Sequence, residues 1–298
     1  MTHSAGAALQ VPPAQHEGFE AWREVGRAPA RQASRGAGSS AFWRRLAARG
    51  AGLLLPLMLL LAWESASALG WVSRHLLPPP SALAQTLVEL AGSGLLLKHI
   101  LISTGRVGAG FAIGASAGVL LGAAVALSRP LSALLDPSLQ ALRAIPSLAW
   151  VPLLLLWLGI DESPKITLIA IGAFFPVYLA TVSGIQNVDR KLVEVGELLG
   201  FSRATLFRRI LGPAALPSVF TGQRTALGLA WMFLVAAELI AATKGLGYLL
   251  SDGRETGRVD LVLVAILVLA LLGKFTDSLL KFAEARALHW RDTFQAKE

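Results

Sequence analysis

Five ionisable side chains fall inside long apolar runs of this chain: Glu64, Arg224, Glu238, Lys274 and Asp277. A charge at mid-bilayer costs roughly 2.5–3.5 kcal/mol on insertion scales, so each is a candidate for function. Position offers milder readings. Arg224 and Glu238 lie toward opposite ends of one run, where a long side chain can reach water. Lys274 and Asp277 stand three residues apart and can neutralise each other on one helix. Glu64 has no such account. Glu64, Arg224 and Glu238 are therefore the candidates for a translocation path, with Arg224 the natural partner for an anion. Ion-coupled transport uses a connected set of ionisable groups, and the spacing shows none. Enzyme chemistry has less to work with. There is no cysteine, and the five histidines (His3, His16, His75, His99 and His289) have no ligand-pair spacing. No paired carboxylates converge on one level, and no Gly-x4-Gly-Lys-[Ser/Thr] phosphate loop occurs. The chain is expected to hold no metal or cofactor and to hydrolyse nothing.

The elements that position these residues must be membrane helices. Of the 298 residues, 54% are hydrophobic and 15% charged, and the mean hydropathy is +0.58. An ordinary soluble domain carries about 25% charged residues, so lipid must solvate much of this surface. Crossing about 30 Å of hydrocarbon takes about 20 apolar residues. Six such runs occur, at about 50–70, 105–128, 145–160, 164–186, 216–243 and 259–281. Residues 1–49 read as a disordered basic tail, and 293–298 as a short C-terminal tail, around a six-span domain at 50–292. Arg44, Arg45 and Arg49 before the leucine-rich run suit an uncleaved signal anchor better than a cleaved signal peptide. Pro78-Pro79-Pro80 precedes a short amphipathic helix over 81–97, which Ser81 can cap. Pro146 and Pro152 interrupt the third run.

The formal charge is +8, and placement explains it. With both termini cytoplasmic, 18 Lys and Arg fall on inner segments and seven on outer ones. This is the positive-inside pattern, and it needs an even number of spans. The basic excess is a topology signal and not a nucleic-acid footprint. Within the 105–128 run, Gly110, Gly114, Gly118 and Gly122 recur every fourth residue, a stripe that lets another helix backbone approach closely. Packing is its plain role; sliding of helices is the functional alternative.

The most specific segment is the inner loop between the fourth and fifth runs, Val188 to Pro213. Asp189 can cap a first helix and Gly200 can end it with φ > 0. Ser202 can cap a second, amphipathic helix carrying Leu206, Phe207, Ile210 and Leu211, with Gly212-Pro213 as its end. Two short helices exposed at an angle make a knob, not a pocket. The spacing from Gly196 through Gly200, Ser202 and Thr205 to Arg208 also suits a DNA-reading helix-turn-helix. That unit needs a third helix and its own small domain, which about 30 residues between spans cannot supply.

This loop resembles the signature of the inner-membrane permeases of bacterial ATP-binding-cassette importers, Glu-Ala-Ala-x3-Gly-x9-Ile-x-Leu-Pro. Here it reads Glu194-Val195-Gly196, then Gly200, then Ile210-Leu211-Gly212-Pro213; Val195, Gly196 and Gly212 depart from it. The resemblance covers about residues 50–292. It implies an all-α type I importer permease of about six spans in the bacterial inner membrane. It also implies that the loop 189–211 docks on an ATPase subunit, with Glu194, Gly200, Ser202, Arg203, Ile210 and Pro213 at or near that surface. The implied partners are two ATPase subunits, which would carry ATP and Mg, a second permease copy, a periplasmic substrate-binding protein and membrane lipid.

Within the family the chain is similar to the subgroup serving aliphatic sulfonates, taurine, nitrate and related small anions. The stretches that carry this are Arg143–Leu153, Trp157–Glu162, Phe174–Tyr178, Ala237–Ile240 and Gly245–Tyr248. The aliphatic-sulfonate members are the nearest; taurine, nitrate or bicarbonate, and a vitamin precursor are the alternatives. The rival class is an ion-coupled secondary carrier, which would need no ATPase.

Overall fold

The structure, a computed structural model, describes residues 54–290. The tails at 1–49 and 293–298, the basic flank of the first run and its residues 50–53 lie outside them. Every regular element among the described residues is helical. One packing unit begins at Leu60, inside the first helix, and contains all the later helices.

The first apolar helix, α1, is Leu54–Ala68. Next, α2 (Pro80–Gly92) starts with Pro79 at the N-cap and Pro80 in its first turn. Ser81 therefore sits inside the helix and does not cap it. The first-turn donors are met from outside, since Ser81 N–H and its hydroxyl bond to the Glu64 carboxylate at 3.1 and 2.8 Å. α3 (Leu95–Leu127) has 33 residues and begins ten residues before the apolar run that announced it. Its first turns carry His99 and Ser103, which lowered the hydropathy there, yet both are buried.

The third expected span is not one straight helix. α4 (Arg129–Ala144) is amphipathic with no buried residue. It meets a 3-10 turn, Ser147–Trp150, and the eight-residue α5 (Val151–Leu158) at an 87° bend. Pro146 and Pro152 lack the N–H groups that would carry a helix through this region. Eight residues span about 12 Å, so the segment can cross only as part of a broken pair.

α6 (Glu162–Gln186) leads to α7 (Arg190–Leu198) and then to α8, Arg203–Ala241. Gly212-Pro213 does not end the helix that Ser202 opens. A π turn at Phe207–Leu211 widens the helix, and Gly212 N–H bonds to the Phe207 carbonyl five residues back. Pro213 then falls in the first turn of renewed α-helix, where a missing N–H is tolerated. A further short helix, α9 (Leu246–Glu255), follows before α10 (Val259–Ala287). The charges at Asp252, Arg254 and Glu255 had hidden it.

Four helices (α3, α6, α8 and α10) are long and apolar enough to cross a membrane, and α4 with α5 makes a fifth crossing if counted as one. α1, the described part of the first expected span, is shorter. α6 lies between α3 and α8 and packs extensively on both. Leu168 and Ile169 of α6 meet Val107 of α3 and Ala230, Phe233 and Leu234 of α8. The glycine stripe faces α6: a Cβ on Gly110 would lie 2.6 Å from Ile169 Cβ, and one on Gly122 2.9 Å from the Tyr178 carbonyl. At Gly114 a Cβ would collide with the Ala170 carbonyl. Close helix approach of this kind supplies packing energy where lipid offers no hydrophobic drive.

Candidate functional site

The elbow between α6 and α8 is built by three caps. Asp189 accepts a bond from Lys191 N–H at 2.9 Å. At the other end of α7, Gly200 adopts φ +74°. Its N–H reaches the Glu197 carbonyl, and Phe201 N–H reaches that of Gly196, the paired bonds of a Schellman turn. Ser202 then accepts from Thr205 N–H at 3.3 Å. The two helices close tightly because residue 196 is glycine, where the family pattern has alanine. A Cβ there would lie 2.5 Å from Leu206 Cδ1 and 2.8 Å from Ile210 Cδ1. Ile210 is half-buried in this contact, and Arg209 stacks over the Phe201 ring at 5.6 Å.

The outer side of the elbow faces away from the protein. Glu194 is exposed and pairs with Arg190 at 2.8 Å, and Arg203 is exposed at the start of α8. Leu192, Val195, Leu198 and Leu199 are exposed too, Leu198 by 88%. Four large apolar side chains with basic neighbours are thus left uncovered by the rest of the chain.

A second constellation lies at the opposite end of α8. Glu238 does not reach for water. It is 1% exposed and accepts bonds from Ser103 Oγ (2.8 Å), Arg106 Nη1 (2.7 Å) and Gly247 N–H (2.7 Å). Arg106, one of the seven cations counted as outer at the edge of the 105–128 run, is 5% exposed within α3. Its Nη1 also donates to the Lys244 carbonyl, and its Nε and Nη2 donate to the two oxygens of Glu162. Lys165, likewise counted as outer at the edge of the 164–186 run, is buried in α6 and donates to the Ile160 and Asp161 carbonyls. His99 Nδ1 accepts the Gly245 N–H at 3.0 Å. The ionisable groups thus do form a connected set, joining α3, α6, α8 and the turn into α9. The Glu238 carboxylate is met by Ser103, Arg106 and Gly247 N–H, and that of Glu162 by Arg106.

The remaining candidates take separate places. Arg224 forks onto Asp277 (2.9 and 3.3 Å) and lies 3.7 Å from Glu284. Asp277 therefore pairs across to α8 and not with Lys274. Glu64, on α1, bonds the start of α2, so Glu64, Arg224 and Glu238 are not gathered in one site. An apolar cavity of about 370 Å³ lies between α3, α4 and α6, lined by Ile113, Leu139, Trp150 and Phe174 among others. No group of three or more His, Cys, Asp or Glu able to hold a metal occurs among the described residues.

Membrane-length helices held by glycine contacts, with a capped elbow offering an apolar surface, define a multi-pass membrane protein. The chain belongs to the family of binding-protein-dependent transport system inner membrane components, whose model matches residues 114–289. It is a permease of the importer class and a multi-pass inner-membrane protein. It is 43% identical over 244 residues to the putative aliphatic sulfonates transport permease SsuC of Bacillus subtilis (strain 168), covering 82% of this chain and 88% of that one. The corresponding protein of Escherichia coli (strain K12) is 44% identical, covering 82% and 93%. The taurine transport system permease TauC of Escherichia coli (strain K12) is 34% identical, covering 80% and 88%.

Proposed function

We propose that this chain is the permease subunit of an ATP-driven importer for an aliphatic sulfonate delivered by a periplasmic binding protein. Two copies form the path, and two separate ATPase subunits drive it. The cargo class is supported by the identity to the sulfonate permeases, which exceeds that to the taurine permease by about ten percentage points. The drive is supported by one observation above all: the elbow is continuous with a spanning helix. α8 runs 39 residues from Arg203 to Ala241, about 58 Å at 1.5 Å per residue. An ATPase gripping Leu192, Val195, Leu198 and Leu199 would move the near end of this rod. Its far end carries Glu238 and the charge cluster. Closure of the ATPase pair on ATP thereby becomes a tilt that exchanges inward-open and outward-open states. The connected charge set is a feature that ion-coupled carriers share, but membership in the binding-protein-dependent family favours the ATP-driven reading.

Glu194→Arg tests the coupling. It turns the Arg190–Glu194 pair into repulsion on the exposed face of α7 without touching the core. ATP-dependent ethanesulfonate uptake by vesicles holding the whole complex should fall at least tenfold, with the permease at its normal level in the membrane. Normal uptake with the ATPase bound as tightly as before would place the docking surface elsewhere.

A further inference from the structure

The Arg106 guanidinium is anchored from one side and occupied from the other. Nη1 is fixed by Glu238 Oε1 and the Lys244 carbonyl, both at 2.7 Å. Glu238 is wholly buried, and these bonds hold the guanidinium in place whether or not anything sits on its other edge. That other edge, Nε and Nη2, makes a two-pronged contact with both oxygens of Glu162. The Glu162 side chain is 57% exposed, whereas that of Arg106 is 5% exposed. Lys165 Nζ, on a side chain 6% exposed, lies 3.6 Å from Glu162 Oε1.

A buried, preoriented guanidinium fork beside a buried ammonium matches an oxyanion that presents two oxygens. Without Glu162 the cluster would hold two cations against one buried carboxylate, leaving a positive charge to be answered. The group now answering it is the one that the rest of the chain leaves exposed, against the buried Arg106, Lys165 and Glu238, on a side chain long enough to swing aside. An exposed carboxylate at this position needs water or a partner and cannot face lipid.

We propose that Glu162 is a tethered occupant of an oxyanion site formed by Arg106 and Lys165, and that the acid group of the cargo displaces it there. The site lies at the end of α8 remote from the elbow, the end at which cargo would enter if the elbow is cytosolic. The proposal rests on the reading of the cargo as an organic anion. It names Arg106 as the residue that grips the acid group and Glu162 as the competitor that keeps affinity low enough for release.

The test is calorimetric titration of ethanesulfonate into the permease–ATPase complex in lipid nanodiscs, as wild type and with Glu162→Ala. Removing the tethered competitor should tighten binding at least tenfold. Adding Arg106→Lys, which keeps the charge and loses the fork, or Lys165→Gln should abolish that gain, and neutral ethyl methyl sulfone should bind to none of the forms. Propionate binding as well as ethanesulfonate would make this a general oxyanion site, within the proposal. An unchanged or weakened affinity in Glu162→Ala, or a gain that survives both Arg106→Lys and Lys165→Gln, would overturn it. Uptake of ethanesulfonate by wild type with the binding protein present is measured alongside. Uptake with no effect of Glu162→Ala sinks the site alone, whereas absence of uptake sinks the reading of the cargo.

Discussion

Arg106 shows how far a charge can be hidden by its own partners. Taking an ion pair out of water costs several kcal/mol per ion, and hydrogen bonds must offset it. Here Glu238 has Ser103, Gly247 N–H and Arg106, and Arg106 has Glu162 and the Lys244 carbonyl besides. Removing Arg106 alone should therefore be severe. Arg106→Met strands Glu238 and should lower stability by about 3–5 kcal/mol, whereas Arg106→Met with Glu238→Met should recover most of that loss. The unfolding midpoint of the detergent-purified protein reads this; equal loss in the single and double variants would show that the pair is not the cause. The cluster was partly legible in the sequence. His99, Ser103 and Arg106 stand at intervals of four and three and continue into Gly110, Gly114, Gly118 and Gly122, so the polar and glycine residues form one stripe. Averaging hydropathy along the chain dissolved that phase and left Arg106 at the edge of a run, where it was counted with the outer cations. Glu162 gave no comparable signal, because its strongest partner, Arg106, is 56 residues away in sequence.

Helices inherit both their strength and their misreadings from such local features. The runs at 164–186 and 259–281 mark α6 and most of α10, since their few polar residues do not outweigh long apolar stretches. The start of α3 and the whole of α9 escaped because their polar residues lowered the local average. The end placed at Gly212-Pro213 was wrong in the opposite sense, because a π turn lets the helix absorb the proline. The caps at Asp189, Gly200 and Ser202 were readable since each depends on one residue type at one position. Gly200 needs φ > 0, which costs a side-chain-bearing residue about 1–2 kcal/mol. Gly200→Val should thus loosen the elbow and lower ATP-dependent uptake severalfold, while the level of permease in the membrane is preserved. The stripe gives a sharper contrast. Gly114→Leu would drive a side chain into the Ala170 backbone and separate α3 from α6. Gly228→Leu, on α8, meets nothing within 4 Å and should be accepted. Membrane levels by immunoblot compare the two; equal levels would mean that α3 and α6 do not depend on this contact.

The molecule as a whole leaves its apolar surface for others to cover. In the best apolar window of α10 only 22% is buried by the rest of the protein, and in that of α6 50%. Lipid, and a second copy in the proposed assembly, account for the outer faces of these helices. They do not account for Leu192, Val195, Leu198 and Leu199, which lie on the loop beyond the membrane-length helices. If the basic residues Arg190, Lys191, Arg203, Arg208 and Arg209 mark the cytosolic side, these leucines and valine await a cytosolic partner. Because the chain has no cysteine, a single introduced thiol reports its surroundings without background. The decisive measurement is labelling of Leu198→Cys by a membrane-impermeant maleimide, in intact spheroplasts and in inverted vesicles, with and without the ATPase subunit. Labelling should occur only in inverted vesicles and be suppressed when the ATPase is bound. Labelling from the periplasmic face, or labelling in inverted vesicles at a rate the ATPase does not change, would contradict the account.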